Sequence, residues 1–383
     1  MTEPSGPRKG VKIDDKSLHE MLKRLLSPGG AASQPATVDA VAVQQRTGGA
    51  IGYTLVSAPE KLSAPAPFAP AYGMNAASYL RRWLVKGKRI AAVLRPCEQR
   101  AVVELMKLEQ IGRDSLLIFT TDCSGAYKND IYAENATAIG QGFHALPGPA
   151  HARETATAQK IAELKAKSIA LRPACEICDR KMAEGGDVLL AYHGLDELTA
   201  LPMTAAGEAA LASVAEPANV DVAGRRNAAR QRLLDQVKTA RAEWTAAADR
   251  LQNPAALLDF FKNCIACKNC REMCPVCYCQ ECFFDKDVGC PRGVDLLNVT
   301  AVKGAVKLPL YALFFQLTRM YHVSQTCVAC GACADACPKN IPLTVVFPFA
   351  ARKVQETFGY EAGRSIDEPL PWKIFKHEEL EPR

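Results

Sequence analysis

The chain has 383 residues, 48% of them hydrophobic, with 47 Lys and Arg against 41 Asp and Glu for a formal charge of +6. That length exceeds the roughly 250–300 residues at which single cores stop growing, so at least two domains are expected. The composition excludes bulk disorder. No apolar run approaches the roughly 18–20 residues of a membrane span. The longest, 308–315, gives way at once to polar residues. The opening residues show no apolar signal region, and the chain reads as cytoplasmic. Sixteen cysteines stand out from this background. In a chain long enough to build a core, with no export signal, clustered cysteines point to metal rather than to disulfides. A four-iron cluster on four thiolates carries about −2 when oxidised, so such ligation offsets the basic excess and nucleic acid is not implied.

In chain order, residues 1–37 read as a polar N-terminal extension with one amphipathic stretch, 18–26, closed by Ser27-Pro28-Gly29-Gly30. Residues 38–44 and 50–56 read as strands around Thr47-Gly48-Gly49, a hairpin signal. The alternative, a phosphate cradle, lacks the helix that should follow it. The Pro- and Ala-rich 64–71 is a loop. Asn75 is placed to cap a helix running to about 86. Next come a short strand at 89–94, an amphipathic helix at 99–110 and a strand at 115–121. Such a strand–helix–strand unit predicts parallel pairing. It sets Cys97 and Cys123 just past the carboxyl ends of the two strands, where open α/β sheets bind their ligands. Cys175-Glu-Ile-Cys178 precedes another strand at 187–192. The alanine-rich 202–217 marks a boundary, and 227–252 is a long connecting helix ended by Pro254.

Cys264, Cys267, Cys270 and Cys274, followed by Pro275, spell C-x2-C-x2-C-x3-C-P, and Cys327, Cys330, Cys333 and Cys337, followed by Pro338, repeat it 63 residues on. Three cysteines two apart wrap a tight loop round one cubane, while the fourth, after a short helical turn, points elsewhere. In two-cluster ferredoxins it ligates the other cluster. Crossed ligation is therefore expected: Cys264, Cys267, Cys270 and Cys337 on one [4Fe-4S] cluster, Cys327, Cys330, Cys333 and Cys274 on the other. Zinc is the alternative, but zinc sites pair C-x2-C knuckles rather than align four cysteines so densely. The insert between the copies, with its apolar 308–317 run, predicts a module expanded by helices.

Cys277, Cys279, Cys282 and Cys290 crowd behind the first copy. They read as one further metal centre, with zinc, alternative ligation or buried structural cysteines as the other possibilities. Cys97, Cys123, Cys175 and Cys178 are scattered but adjoin strand ends, as a cluster assembled across a sheet edge requires. The six histidines form no catalytic constellation.

Arg95-Pro-Cys-Glu-Gln-Arg-Ala101 after an apolar strand, Asp122-Cys-Ser-Gly-Ala-Tyr127 and Cys175-Glu-Ile-Cys178 resemble elements of the coenzyme F420 hydrogenase/dehydrogenase beta-subunit family. That family includes beta subunits of F420-dependent formate dehydrogenases. The stretch 358–371 is similar to members with a C-terminal ferredoxin module. The resemblance implies FAD and one cubane in an α/β (α+β) N-terminal flavin/iron–sulfur domain, followed by a helix-rich ferredoxin-like domain acting as a wire. It implies a partner redox subunit, such as a formate dehydrogenase alpha, hydrogenase or heterodisulfide-reductase-like subunit, and a two-electron carrier such as coenzyme F420. The expected division is an extension at 1–37, the flavin and cluster domain at 38–215, a connecting helix at 216–256, the ferredoxin-like domain at 257–350 and a tail at 351–383. No G-x-G-x-x-G marks the flavin site. Asn75 could present helix amides to the FAD pyrophosphate, and Arg95 could bond the isoalloxazine or a phosphate. The plainer and preferred readings are a helix cap and a loop-to-carboxylate contact. A flavin-free multi-cluster adapter between two redox enzymes is the alternative function.

Overall fold

The structure, a computed structural model, describes residues 10–27, 37–84, 87–140, 142–146, 149–212, 217–218, 222–251, 253–286, 292–304 and 311–374. Its strands are β1 (Gly10–Lys12), β2 (Ala40–Thr47), β3 (Ala50–Val56), β4 (Ala71–Tyr72), β5 (Ile90–Leu94), β6 (Leu116–Thr121), β7 (Tyr127–Lys128), β8 (Val188–Ala191), β9 (Thr199–Pro202) and β10 (Pro217–Ala218). Eight form one mixed sheet in the order β10-β1-β9-β8-β6-β5-β2-β3, and β4 pairs with β7. The expected hairpin is present: Gly48 at φ +61° turns β3 back on β2 with Thr47 opposite Ala50. The expected parallel pairing of β5 with β6 is also present, flanked by parallel β2 and β8.

β5 and β8 are apolar end to end, and β2 and β6 over their first four residues, because both faces of the sheet are covered there. On one face, Val41, Val43, Val93, Phe119 and Leu190 pack under α1 (Asp15–Leu26), which Asp14 caps by accepting from the Ser17 N–H at 2.7 Å. On the other, Ala92, Leu94 and Ile118 pack under α2 (Ala76–Trp83) and α3 (Pro96–Lys107). The segment before residue 38 therefore supplies a strand and a helix to the first core. Helix α3 begins three residues earlier than expected because Pro96 is preset for the first helical position, and Glu98 reaches back to the Arg95 N–H at 2.8 Å. That places Cys97 in the first helical turn.

The long helix runs Val222–Asp249, and Pro254 opens the next one, Pro254–Phe260, rather than closing it. Trp244 Nε1 donates to Thr344 O at 2.7 Å, tying the long helix to Leu343–Thr357. The insert between the cysteine motifs contains helices Gly293–Lys303 and Ala312–Val323. The chain then returns to α3, where Glu104 accepts from Tyr360 Oη and the Gly363 N–H, both at 2.7 Å. An α/β first unit is thus joined to a helical cysteine-rich unit. Among the described residues no helix is long and apolar enough to cross a membrane.

Candidate metal centres

The two cysteine motifs share a backbone pattern. Ala266 and Lys268 in the first copy have φ of 49° and 65°, and Ala329 and Gly331 in the second have 57° and 73°. These are the second and fourth residues after each leading cysteine. Left-handed residues are uncommon outside glycine, and two per loop at matched positions curl each C-x2-C-x2-C inward. The Ala266 N–H points at Cys264 Sγ at 3.4 Å, and the Ala329 and Ala332 N–H groups bond Cys327 and Cys330. Donors of this kind favour thiolate over thiol. One-turn helices follow, Asn269–Glu272 and Ala332–Asp335, each ending just before the fourth cysteine.

That fourth cysteine leaves its own loop. Cys264, Cys267 and Cys270 line one cavity together with Cys337. Cys327, Cys330 and Cys333 line a second together with Cys274. A third cavity brings together Cys97, Cys123, Cys175 and Cys178. Among the described residues no three Cys, His, Asp or Glu side chains converge on a single-ion position; these cysteines surround volumes instead. Cys279 is exposed, Cys282 bonds Arg271, and Cys277 lies half-buried near both, but none of the three lines these cavities. Cys290 lies outside the described residues.

The surroundings of the third cavity are polar and buried. Asp122, just before Cys123, accepts from the Ala183, Tyr192 and His193 N–H groups at 2.7–2.9 Å and from both terminal nitrogens of Arg226 at 2.7 and 3.0 Å. Burial pushes this carboxyl up, yet Arg226 and these bonds hold it below the usual range. Arg95 lines the cavity, and its Nη2 donates to Gln44 Oε1 and to the carbonyls of Ala69 and Ala71 at 2.6–2.7 Å. Its Nη1 lies 3.7 Å from Glu98 with no hydrogen-bond partner. Asn75 caps α2 by accepting from the Ala77 N–H at 3.0 Å, while its Nδ2 and the Tyr72 Oη are buried without a hydrogen-bond partner among the described residues, near Cys330 of the second unit. Burial pushes the Cys178 and Cys327 thiols up to about 11. Such thiols stay protonated near neutral pH unless a positive partner, such as a bound metal, favours the thiolate.

Sequence reasoning missed the side chains between the cavities. Arg172 Nη1 lies 3.5 Å from Cys175 Sγ, its Nη2 donates to Cys330 O at 2.6 Å, and its Nε pairs with Asp335 at 2.5 Å. Its position just before Pro173 of the C-x2-C knuckle was the available signal. Gly331 stands where the first copy has Lys268 because a Cβ there would sit 2.3 Å from Ala174 Cβ. The second copy docks on the knuckle, whereas Lys268 reaches out to Asp285.

A larger cleft of about 340 Å³ opens between the units. Cys97, Cys175 and Cys178 lie on it from the first unit, and Cys327 and Cys330 from the second. Six arginines line it (Arg100, Arg172, Arg180, Arg241, Arg352 and Arg364) against three carboxylates, Asp179, Glu356 and Glu361.

Loops, shared cavities and helical packing give the C-terminal unit the features of an iron–sulfur domain. The family described as 4Fe-4S dicluster domain matches residues 260–341. Over a longer span the chain is similar to the F420-dependent formate dehydrogenase subunit beta of Methanocaldococcus jannaschii, 26% identical over 74% of this chain and 76% of that one. It is also similar to the F420-dependent formate dehydrogenase 1 subunit beta of Methanococcus maripaludis, 24% identical over 74% of each. A chain of the F420-reducing [NiFe] hydrogenase complex from Methanosarcina barkeri aligns at TM-score 0.40 and 14% identity, over 64% of this chain and 96% of that one. The resemblance carried by residues 95–101, 122–127 and 175–178 is borne out by the two formate dehydrogenase relatives, which are oxidoreductase subunits by name.

Proposed function

We propose that the chain is the flavin-bearing beta-type subunit of an oxidoreductase complex, exchanging electrons between a two-electron carrier such as coenzyme F420 and a partner catalytic subunit. The observation that carries this reading is continuity: the arginine cleft shares cysteines with the first-unit cavity on one side and with the second ferredoxin-type cavity on the other. The donor sets fit cubanes, with four thiols around each cavity and amides directed at sulfur. The cleft is the candidate flavin site: its volume lies at the low end of the range of small-molecule sites, and its excess of guanidinium groups over carboxylates suits a pyrophosphate. When bound, FAD would supply the exchange between hydride and single electrons, and the clusters would carry those electrons one at a time.

The chain's own residues do the rest. Cys97, Cys123, Cys175 and Cys178 would hold the first cluster, and the two crossed sets would hold the others. Arg95 and Arg172 supply buried positive charge beside the first set, and Asp122 fixes the loop that carries Cys123. Asn75 Nδ2 and Tyr72 Oη are buried without a hydrogen-bond partner among the described residues and lie near Cys330, where the first unit meets the second cluster site. Flavin and iron analysis of anaerobically purified protein tests the reading. Acid-released FAD with at least eight irons per chain supports it. Iron without flavin leaves the adapter, and zinc without iron removes the electron wire altogether.

A further inference from the structure

Helix Ala312–Val323 carries Arg319, which is 3% exposed and whose guanidinium lies near Phe315 of the first ferredoxin-type cavity and Phe347 of the second. Its Nη2 donates to Cys270 O at 3.0 Å, its Nη1 reaches Gln316 Oε1 at 3.4 Å, and its Nε has no partner. The guanidinium lies 4.6 Å from the ring centre of Phe347 and 5.8 Å from that of Phe315. No carboxylate among the described residues pairs with it. The ionisable groups facing it are Cys270, which lines the first cavity, Cys274 and Cys333, which line the second, and Cys277. Gln316 extends the contact, with Nε2 3.5 Å from Cys264 Sγ.

A buried cation without a counter-ion is strongly unfavourable, so this one requires negative charge on the groups around it. Thiolates bound in two clusters, each net anionic, supply that charge from both sides. Arg172 occupies the other inter-cavity junction but has Asp335 as its own partner. Arg319 therefore stands apart as a cation whose described surroundings offer only thiols.

We infer that Arg319 is the built-in counter-charge of both ferredoxin-type clusters and raises their reduction potentials. The inference rests on the cluster assignment proposed above. A fixed positive charge favours the more negative, reduced state of each neighbour, so potential rises with proximity to it. Arg319 acts through the clusters and is a positioning residue.

The test is a dye-mediated redox titration of full-length, anaerobically purified protein, followed by electron paramagnetic resonance, with iron content measured in parallel. Arg319→Gln should lower the midpoint potentials of both ferredoxin-type clusters and leave that of the first-unit cluster in place. Arg319→Lys, which keeps the charge, should show a smaller shift. If Arg319→Gln loses iron from both sites while Arg319→Lys keeps it, the counter-charge role is again supported. Unchanged potentials at full iron content would overturn the inference. So would equal effects of the two variants, which would assign Arg319 a role of shape alone. A wild-type chain without iron would instead overturn the cluster assignment itself.

Discussion

Asp122 and Cys123 are adjacent in sequence but work toward different ends. The carboxylate is a knot for three backbone amides and Arg226, and the thiol faces the first-unit cavity. Asp122→Asn leaves Arg226 buried without its counter-charge, and breaking a buried pair in this way costs about 3–5 kcal/mol. A lowered melting temperature of the anaerobic protein is the expected readout. The folded carboxyl titrates below its ordinary 3.8, so its contribution is fully present above that pH and is lost as pH falls through the lower folded value. On the proposed crossed ligation, Cys337→Ser should perturb the cluster proposed at Cys264, Cys267 and Cys270, and Cys274→Ser the other one. Resonance spectra showing each substitution acting on the cluster of its own motif would mean that ligation is not crossed. Cys97→Ala should remove one cluster, leave flavin bound and stop transfer from flavin to the distal clusters, as stopped-flow reduction would show.

Among elements, the contact between the second ferredoxin loop and the knuckle at 175–178 is held by the absence of a single Cβ. Gly331 has φ +73° and sits against Ala174. Gly331→Ala adds both backbone strain and a clash with Ala174, whose neighbour Cys175 lines the first-unit cavity. The expected result is slowed electron transfer between the first-unit cluster and the ferredoxin pair, with iron content retained, measured by rapid-freeze spectroscopy. Wild-type rates in that variant would show that the two elements do not depend on this approach. The long helix contributes to the same junction through Arg226 at one end and Trp244 at the other. It is a strut between units rather than a linker, which its sequence as a connecting helix does not reveal.

For the whole molecule, the arginine cleft and the raised thiols set two behaviours. Paired substitution of Arg241 and Arg352 to Gln should lower FAD occupancy while leaving iron content unchanged, since neither residue is a thiol ligand. Equal flavin content in this variant would remove the cleft as the flavin site. Burial pushes the Cys178 and Cys327 thiols up to about 11, so iron uptake by the iron-free chain displaces protons. Reconstitution should therefore strengthen with rising pH, and acid should speed iron release to a chelator. A pH-independent release rate would contradict this.

Local features with local causes were legible along the chain. Glycine at 48 made the hairpin, apolar β5 and β6 with a helix between them made the parallel pair, and the spacing of eight cysteines implied both loops and the exchange of their fourth members. Helix starts were legible only in part, because Pro96 at the first position of α3, and Asn253 accepting from the Ala256 N–H ahead of Pro254, outweighed the apolar period in setting the boundaries. Tertiary structure alone decided what lies between the motifs. Arg172 and Arg319 reach cysteines far away in the chain, Asn75 caps its helix while facing Cys330, and the cleft exists only where two units meet. These are charge and packing relations between residues as far apart as 49 (Arg319 and Cys270) and 158 (Arg172 and Cys330) positions in the chain. Spacing along a chain carries no record of them, because burial, and with it the need for a counter-charge, arises only once the units have packed.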